Sequence, residues 1–386
     1  MQFATRFNPI FAACGIALSV LSMQADALTF VDPTARLVGR PTITIGNEVF
    51  VAPFASIKSG GLLQPVRIGN QSDIQDNVEV DATTGAILIG TQVILAHGAT
   101  VKGPASIGMT GRCPVLRQTV CPSFVSFNAV VDGATIQKDA MVSALARVAP
   151  GVTIPSGRKV LSGANITSNA QVPAKTVAMV QADRDFMAGV IAVNLEFAAG
   201  YAEMAALEPA KVRGIGPNPV TAFDLHEVLP TINGVVTADP TFRNRIIGDV
   251  QIGNTLPELK QRMGANISLR ADEGHPFVIG SIGSMASKTT FHALELTDIQ
   301  AGLNGQYGFH SVVHGGGAAA ETIVGDNLVL GDWAVLFRSN VGPGSSIGYK
   351  SLVQQATLAA GTVVPDCTII IGAAAPTPVE WCDITP

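Results

Sequence analysis

Aliphatic residues recur at every sixth position along most of this chain, and a six-residue period admits few folds. Ile45, Val51 and Ile57 begin the series, followed by Ile68, Ile74 and Val80, then Ile89, Leu95, Val101 and Ile107. It resumes at Phe124 and runs through Val130, Ile136, Val142, Val148, Ile154, Val160 and Ile166 to Val172. An amphipathic helix needs spacings of three and four. A period of six suits a parallel β-helix, in which short strands stack coil on coil and the repeated aliphatic fills the interior.

The period returns at Ile246, Ile252, Ile279, Met285, Phe291, Val324, Leu330, Leu336, Val341, Ile347 and Val353. Ser56-Ile57-Lys58 with Pro65-Val66-Arg67-Ile68-Gly69 parallels Ser268-Leu269-Arg270 with Pro276-Phe277-Val278-Ile279-Gly280. The chain therefore reads as a tandem duplication, mainly β, with one unit over residues 28–212 and a second over 213–386. Between the repeats, Thr176 to Leu207 reads as a helix that ends at Glu208-Pro209. Its apolar residues are expected to lie against the first β-helix. Gly214 to Pro219 is a linker by its Gly and Pro content, and Leu256 to Lys260 reads as an inserted helical turn.

Charge narrows the function classes. A net charge of −5 without Lys/Arg clusters argues against nucleic acid. Only 14% of residues are charged and few are aromatic, which points to an oligomer with buried faces. At the N-terminus, Arg6, the apolar run Pro9 to Leu21 and Ala25-Asp26-Ala27 read as a signal peptide over residues 1–27. The expected location is periplasmic or secreted, with a mature chain starting near Leu28. No other segment reads as a membrane span. Past the signal lie Cys113, Cys121, Cys367 and Cys382, and an even number in an exported chain favours two local disulfides, Cys113 with Cys121 and Cys367 with Cys382.

The chemistry-bearing residues sit in the second half: Arg270-Ala271-Asp272-Glu273-Gly274, His292-Ala293-Leu294-Glu295 and Val313-His314-Gly315. With Gln75, Asp76 and His97 in the first half, these resemble γ-class carbonic anhydrases. That family has a left-handed β-helix fold and forms trimers with a metal at each subunit interface. The resemblance covers nearly the whole mature chain. It implies a three-histidine site for zinc, with iron or cobalt also suited to imidazole, carbon dioxide and bicarbonate as substrates, and a homo-oligomer, a trimer being favoured. Glu273 and Glu295 would relay protons, Gln75 would orient the hydroxide, Arg270 would pair across the interface with Asp76, and Arg270 and Asp272 would count with these three among the catalytic residues.

Matched onto the first half, the three ligand positions fall on Asp81, His97 and Lys102, so that unit alone should hold no metal. Matched onto the second half, His292 and His314 are intact, Phe309 stands where His97 would be, and His310 is one place out of register. Neighbouring strand residues point to opposite faces, so His97 is favoured over His310 as the third ligand. The missing parts are divided between the halves: Arg270 lies in one, its partner Asp76 in the other. A composite site is expected, with His292 and His314 facing His97. The competing reading is a non-catalytic β-helix that serves binding or assembly. Acyl transfer from acyl-coenzyme A fits an exported chain less well.

Overall fold

A computed structural model describes residues 28–113, 121–273, 276–293, 297–316 and 321–384. Glu295 and the expected signal peptide fall outside the described residues.

The strands are two to four residues long, and every third one in sequence lies beside its predecessor, the mark of a chain winding around a three-sided prism. Residues 30–178 form one left-handed β-helix and residues 215–378 another, each with three sheets that are parallel except for added strands at the ends. The turns between faces are tight. Many are made by a residue in the left-handed region, Asn77, Asn128, Asn266 and Asn304 among them, since the short Asn side chain tolerates positive φ better than most.

The sixfold aliphatic pattern maps onto ladders. Leu37, Ile57, Val80, Val101, Val131, Val148 and Ile166 pair in register on successive coils and fill the first prism. One stretch departs from the expected frame. Val125 and Val131, not Phe124 and Val130, point inward, because the ladder pairs them with Leu95 and Val101. Val125 and Val131 keep the frame of Ile107, and the five-residue step from Val131 to Ile136 resets it by one residue. Alternation along the strands turns Phe124 and Val130 outward into a second apolar cluster with Val312, Val335, Phe337 and Leu352 of the other prism. That cluster is the apolar part of the contact between the two β-helices.

The helix Gln181–Leu207 packs on this junction and not only on the first prism. Its buried stripe, Met187, Val190, Ile191, Asn194, Phe197, Ala198, Tyr201 and Met204, follows three- and four-residue spacing. By length and composition the helix could cross a bilayer. Here that stripe is committed to protein. The expected short insertion is a capped helix, Leu256–Arg262, in which Thr255 and Glu258 form a reciprocal capping box. Both expected cystine pairs are present, Cys113–Cys121 and Cys367–Cys382. The second closes a loop whose Trp381 donates its indole N–H to the Leu145 carbonyl of the first prism at 2.6 Å.

Candidate metal centre

Arg270, His292 and His314 are ladder partners on three successive strands, with Phe337 on the next. Their sequence neighbours Leu269, Phe291 and Val313 fill the interior. Alternation along a strand therefore sends the arginine and both histidines outward, toward the first prism. From that prism comes His97, at the corner after strand Val93–Leu95. The following residue must be small: Gly98 has φ 72°, and a Cβ there would come within 2.0 Å of Asn128 Oδ1 and 2.9 Å of His310 Nδ1.

The three imidazoles form a nearly equilateral cluster, with ring centroids 5.1, 5.2 and 5.2 Å apart. All are buried. His97 Nδ1 faces Asp76 Oδ2 at 3.1 Å, His292 Nε2 faces Asp272 Oδ1 at 3.1 Å, and His314 Nδ1 meets the Gly315 carbonyl. These acceptors favour a proton on the outer nitrogen of each ring, leaving His97 Nε2, His292 Nδ1 and His314 Nε2 as lone-pair donors. His97 Nε2 and His292 Nδ1 lie 3.3 Å apart. Two lone pairs at that distance repel unless a cation or a proton lies between them. Ligand nitrogens at about 2.0–2.1 Å from a tetrahedral ion stand about 3.3 Å from one another. Among the described residues, these histidines form the group whose ligand atoms are close enough to hold one ion. The donor set fits a divalent metal.

Electrostatics keeps the donors available. Burial pulls His97 down to about 4, against the upward pull of Asp76, and it also lowers His292 and His314, so all three are neutral near pH 7. Burial pushes Asp76 up, but the Arg270 guanidinium and His97 outweigh it and hold this carboxylate well below the usual range. Arg270 bridges Asp76 at 3.1 Å and Asp272 at 2.9 Å, and so joins the two prisms through the groups that back His97 and His292. Its guanidinium is flanked by the rings of Phe50 and Phe197 at 5.4 and 5.3 Å. Ser268 adds a 2.6 Å hydrogen bond to Asp76, and Tyr201 a 2.5 Å hydrogen bond to Asp272.

The other expected site residues fall as follows. Glu273 Oε1 is 3.4 Å from His292 Nε2, inside the buried cluster. Gln75 spans Asp73 and the backbone: its amide donates to Asp73 Oδ2 at 2.6 Å and its carbonyl accepts from His97 N at 3.2 Å. These hydrogen bonds place His97. His310, the alternative third ligand, stands apart from the triad. It occupies a corner at φ 60°, stacks on Trp333 with centroids 4.1 Å apart, and sets Nδ1 3.2 Å from Asn128 Oδ1. Its ring is committed to Trp333 and Asn128, away from the point where His97, His292 and His314 converge. Asp81 and Lys102 are ladder neighbours on the first prism, where Lys58 pairs with Asp81.

Residues the motifs did not single out complete the centre. Phe127 packs against His97 and His314, with ring centroids at 5.8 and 4.9 Å, and Phe337 lies 5.5 Å from His314. Phe197 and Tyr201 arrive from the helix four positions apart, a spacing that would have placed both on one face. Asp73 is buried, and burial raises its carboxyl well above the usual range.

No protein-family model matches the chain. A carbonic anhydrase of Methanosarcina thermophila is 30% identical over 201 residues, which are 46% of this chain and 74% of that protein. The carboxysome assembly protein CcmM of Nostoc is 29% identical over 194 residues, 47% of this chain but only 32% of that protein. Among solved structures, a hexapeptide transferase family protein from Anaplasma phagocytophilum is similar at 22% identity and a TM-score of 0.28, over 44% of this chain and 91% of that one. The buried histidine triad on paired β-helices, together with that anhydrase relative, leads to one assignment: the chain belongs to the γ-class carbonic anhydrase-like family.

Proposed function

We propose that this protein catalyses the reversible hydration of carbon dioxide to bicarbonate at a divalent metal, zinc for preference, held by His97, His292 and His314. The observation that carries the reading is the convergence of three neutral imidazoles whose outer nitrogens are each backed by an acceptor. When bound, the cation supplies Lewis acidity, lowering the pKa of water to roughly 7 so that hydroxide is available at neutral pH.

The protein's own groups do the rest. Asp76 and Asp272 orient His97 and His292 and raise their basicity as ligands, and Arg270 holds both carboxylates ionised. Gln75 fixes the His97 backbone. Glu273, buried beside His292, is assigned the proton relay that hydration requires, because each turnover releases one proton. Phe127, Phe197 and Phe337 line the centre with apolar surface, which suits an apolar substrate and excludes bulk water.

The test is metal content with activity. Protein prepared with zinc should carry about one ion per chain and hydrate carbon dioxide; protein that takes up none leaves the non-catalytic assembly role, which similarity to CcmM favours. Export to the periplasm or outside the cell is likewise our proposal, supported by the two cystines, since disulfides persist in oxidising compartments. Association of chains into a trimer is a proposal that family resemblance supports.

A further inference from the structure

Phe127 and Phe337, whose rings contact His314, also line a cleft of about 510 Å³ between the two prisms and the helix. Arg338 enters this cleft. Its guanidinium lies 4.6 Å from the centre of the Phe337 ring and 5.8 Å from that of Phe186, and its backbone N–H donates to the His314 carbonyl at 3.2 Å. A Cβ on Gly316 would come within 2.7 Å of Arg338 Nε, so the glycine lets the guanidinium lie along the strand end that carries His314. Nε is buried without a hydrogen-bond partner, and among the described residues no carboxylate pairs with this arginine. The cleft's other cation, Lys159, is taken by Asp183 at 2.6 Å. Ser126, Ser143 and Gln354 supply neutral donors around it.

We propose that this cleft docks a small planar oxyanion, with Arg338 as its cationic anchor and bicarbonate as the occupant. The guanidinium fork matches a planar O–C–O group in two parallel hydrogen bonds, a geometry that an ammonium does not offer. Partial burial against two aromatic rings strengthens its pull on an anion relative to open water. Bicarbonate leaving the triad would meet Arg338 next to His314, and bicarbonate arriving for dehydration would be concentrated there. The identity of the anion rests on the hydration reading; the existence of the pocket does not.

The full chain, with its metal content measured, is titrated with [13C]bicarbonate and with [13C]acetate while 13C line broadening is followed, before and after chelation so that anion held at the triad is not counted. Wild type should bind bicarbonate saturably in both states. Arg338→Gln should weaken that binding by about tenfold or more, the loss expected for a charge-assisted hydrogen bond. Its circular dichroism and metal content should stay unchanged, and Arg338→Lys should recover part of the affinity. In catalysis, Arg338→Gln should raise KM for bicarbonate with little change in kcat for hydration. Equal bicarbonate binding by wild type and Arg338→Gln after chelation overturns the proposal, and so does acetate binding more tightly than bicarbonate, which would make this a pocket for organic carboxylates. Protein that lacks metal yet binds bicarbonate through Arg338 removes the hydration reading alone. Metal-loaded, active protein without Arg338-dependent binding removes this inference alone.

Discussion

Gly98, next to His97, lies so near His310 that a Cβ on it would come within 2.9 Å of His310 Nδ1, yet only His97 belongs to the triad, so substitution separates the two histidines cleanly. His97→Ala should strip the metal and the hydration activity, because two imidazoles are too few ligands. His310→Ala should leave metal content near that of wild type. Asp272→Asn, which keeps the shape but weakens the acceptor behind His292, should lower metal affinity by about 10–100-fold, measured by chelator competition. Without metal, the buried histidines also set an acid limit. Their folded pKa values are depressed, His97 to about 4 and His310 to about 3. Each therefore stabilises the fold fully above its unfolded value of about 6.5 and loses that contribution as pH falls toward the folded value. Asp73, raised by burial, acts in the opposite sense but is one group against four. The melting temperature of chelated protein should fall steadily from pH 6.5 to pH 4; a flat profile would contradict these shifts. That His97 would face His292 and His314 was legible in the sequence because Arg270 and its partner Asp76 are divided between the halves. The tie between Gln75 and Asp73 was not, because a hydrogen bond between side chains two apart leaves no mark in a period-six pattern.

The helix Gln181–Leu207 shows where reading by element stops. Its existence and end followed from composition and from Glu208-Pro209, but not its docking: the stripe that was expected to cover the first prism also reaches Arg270 and Asp272 of the second. A helix's own sequence states which face is apolar, not which of two surfaces that face will meet. Two substitutions test the contact. Tyr201→Phe removes the hydroxyl from Asp272 and should cost about 1–3 kcal/mol in denaturant unfolding. Phe197→Ala leaves a cavity beside the guanidinium and should cost about 3–5 kcal/mol. If both variants unfold like wild type, the helix does not seal the centre. The ladder frame near Phe124 was misread for a related reason. Counting sixes forward from Ile107 reaches Val125 and Val131, counting back from Ile136 reaches Val130 and Phe124, and the rhythm alone does not say which of the two frames the strands keep.

At the scale of the whole molecule, duplication was legible from the matched segments and the divided ligand set, and the composite centre lies between the two prisms of one chain. Metal retention should therefore be independent of protein concentration. Chains diluted until light scattering reports single copies should still hold about one zinc each, whereas a centre shared between chains would empty on dilution by mass action. The placement of both halves on one polypeptide has a further consequence, which concerns inheritance. In a ring of identical subunits, one codon change alters every interface at once, so no ligand can be lost at one site and kept at another. Here the two faces are encoded separately. Lys58, Asp81 and Lys102 can occupy the first prism's counterpart of the Arg270–His292–His314 row while the row itself stays intact, and that prism's outer face is left open to selection for some other use.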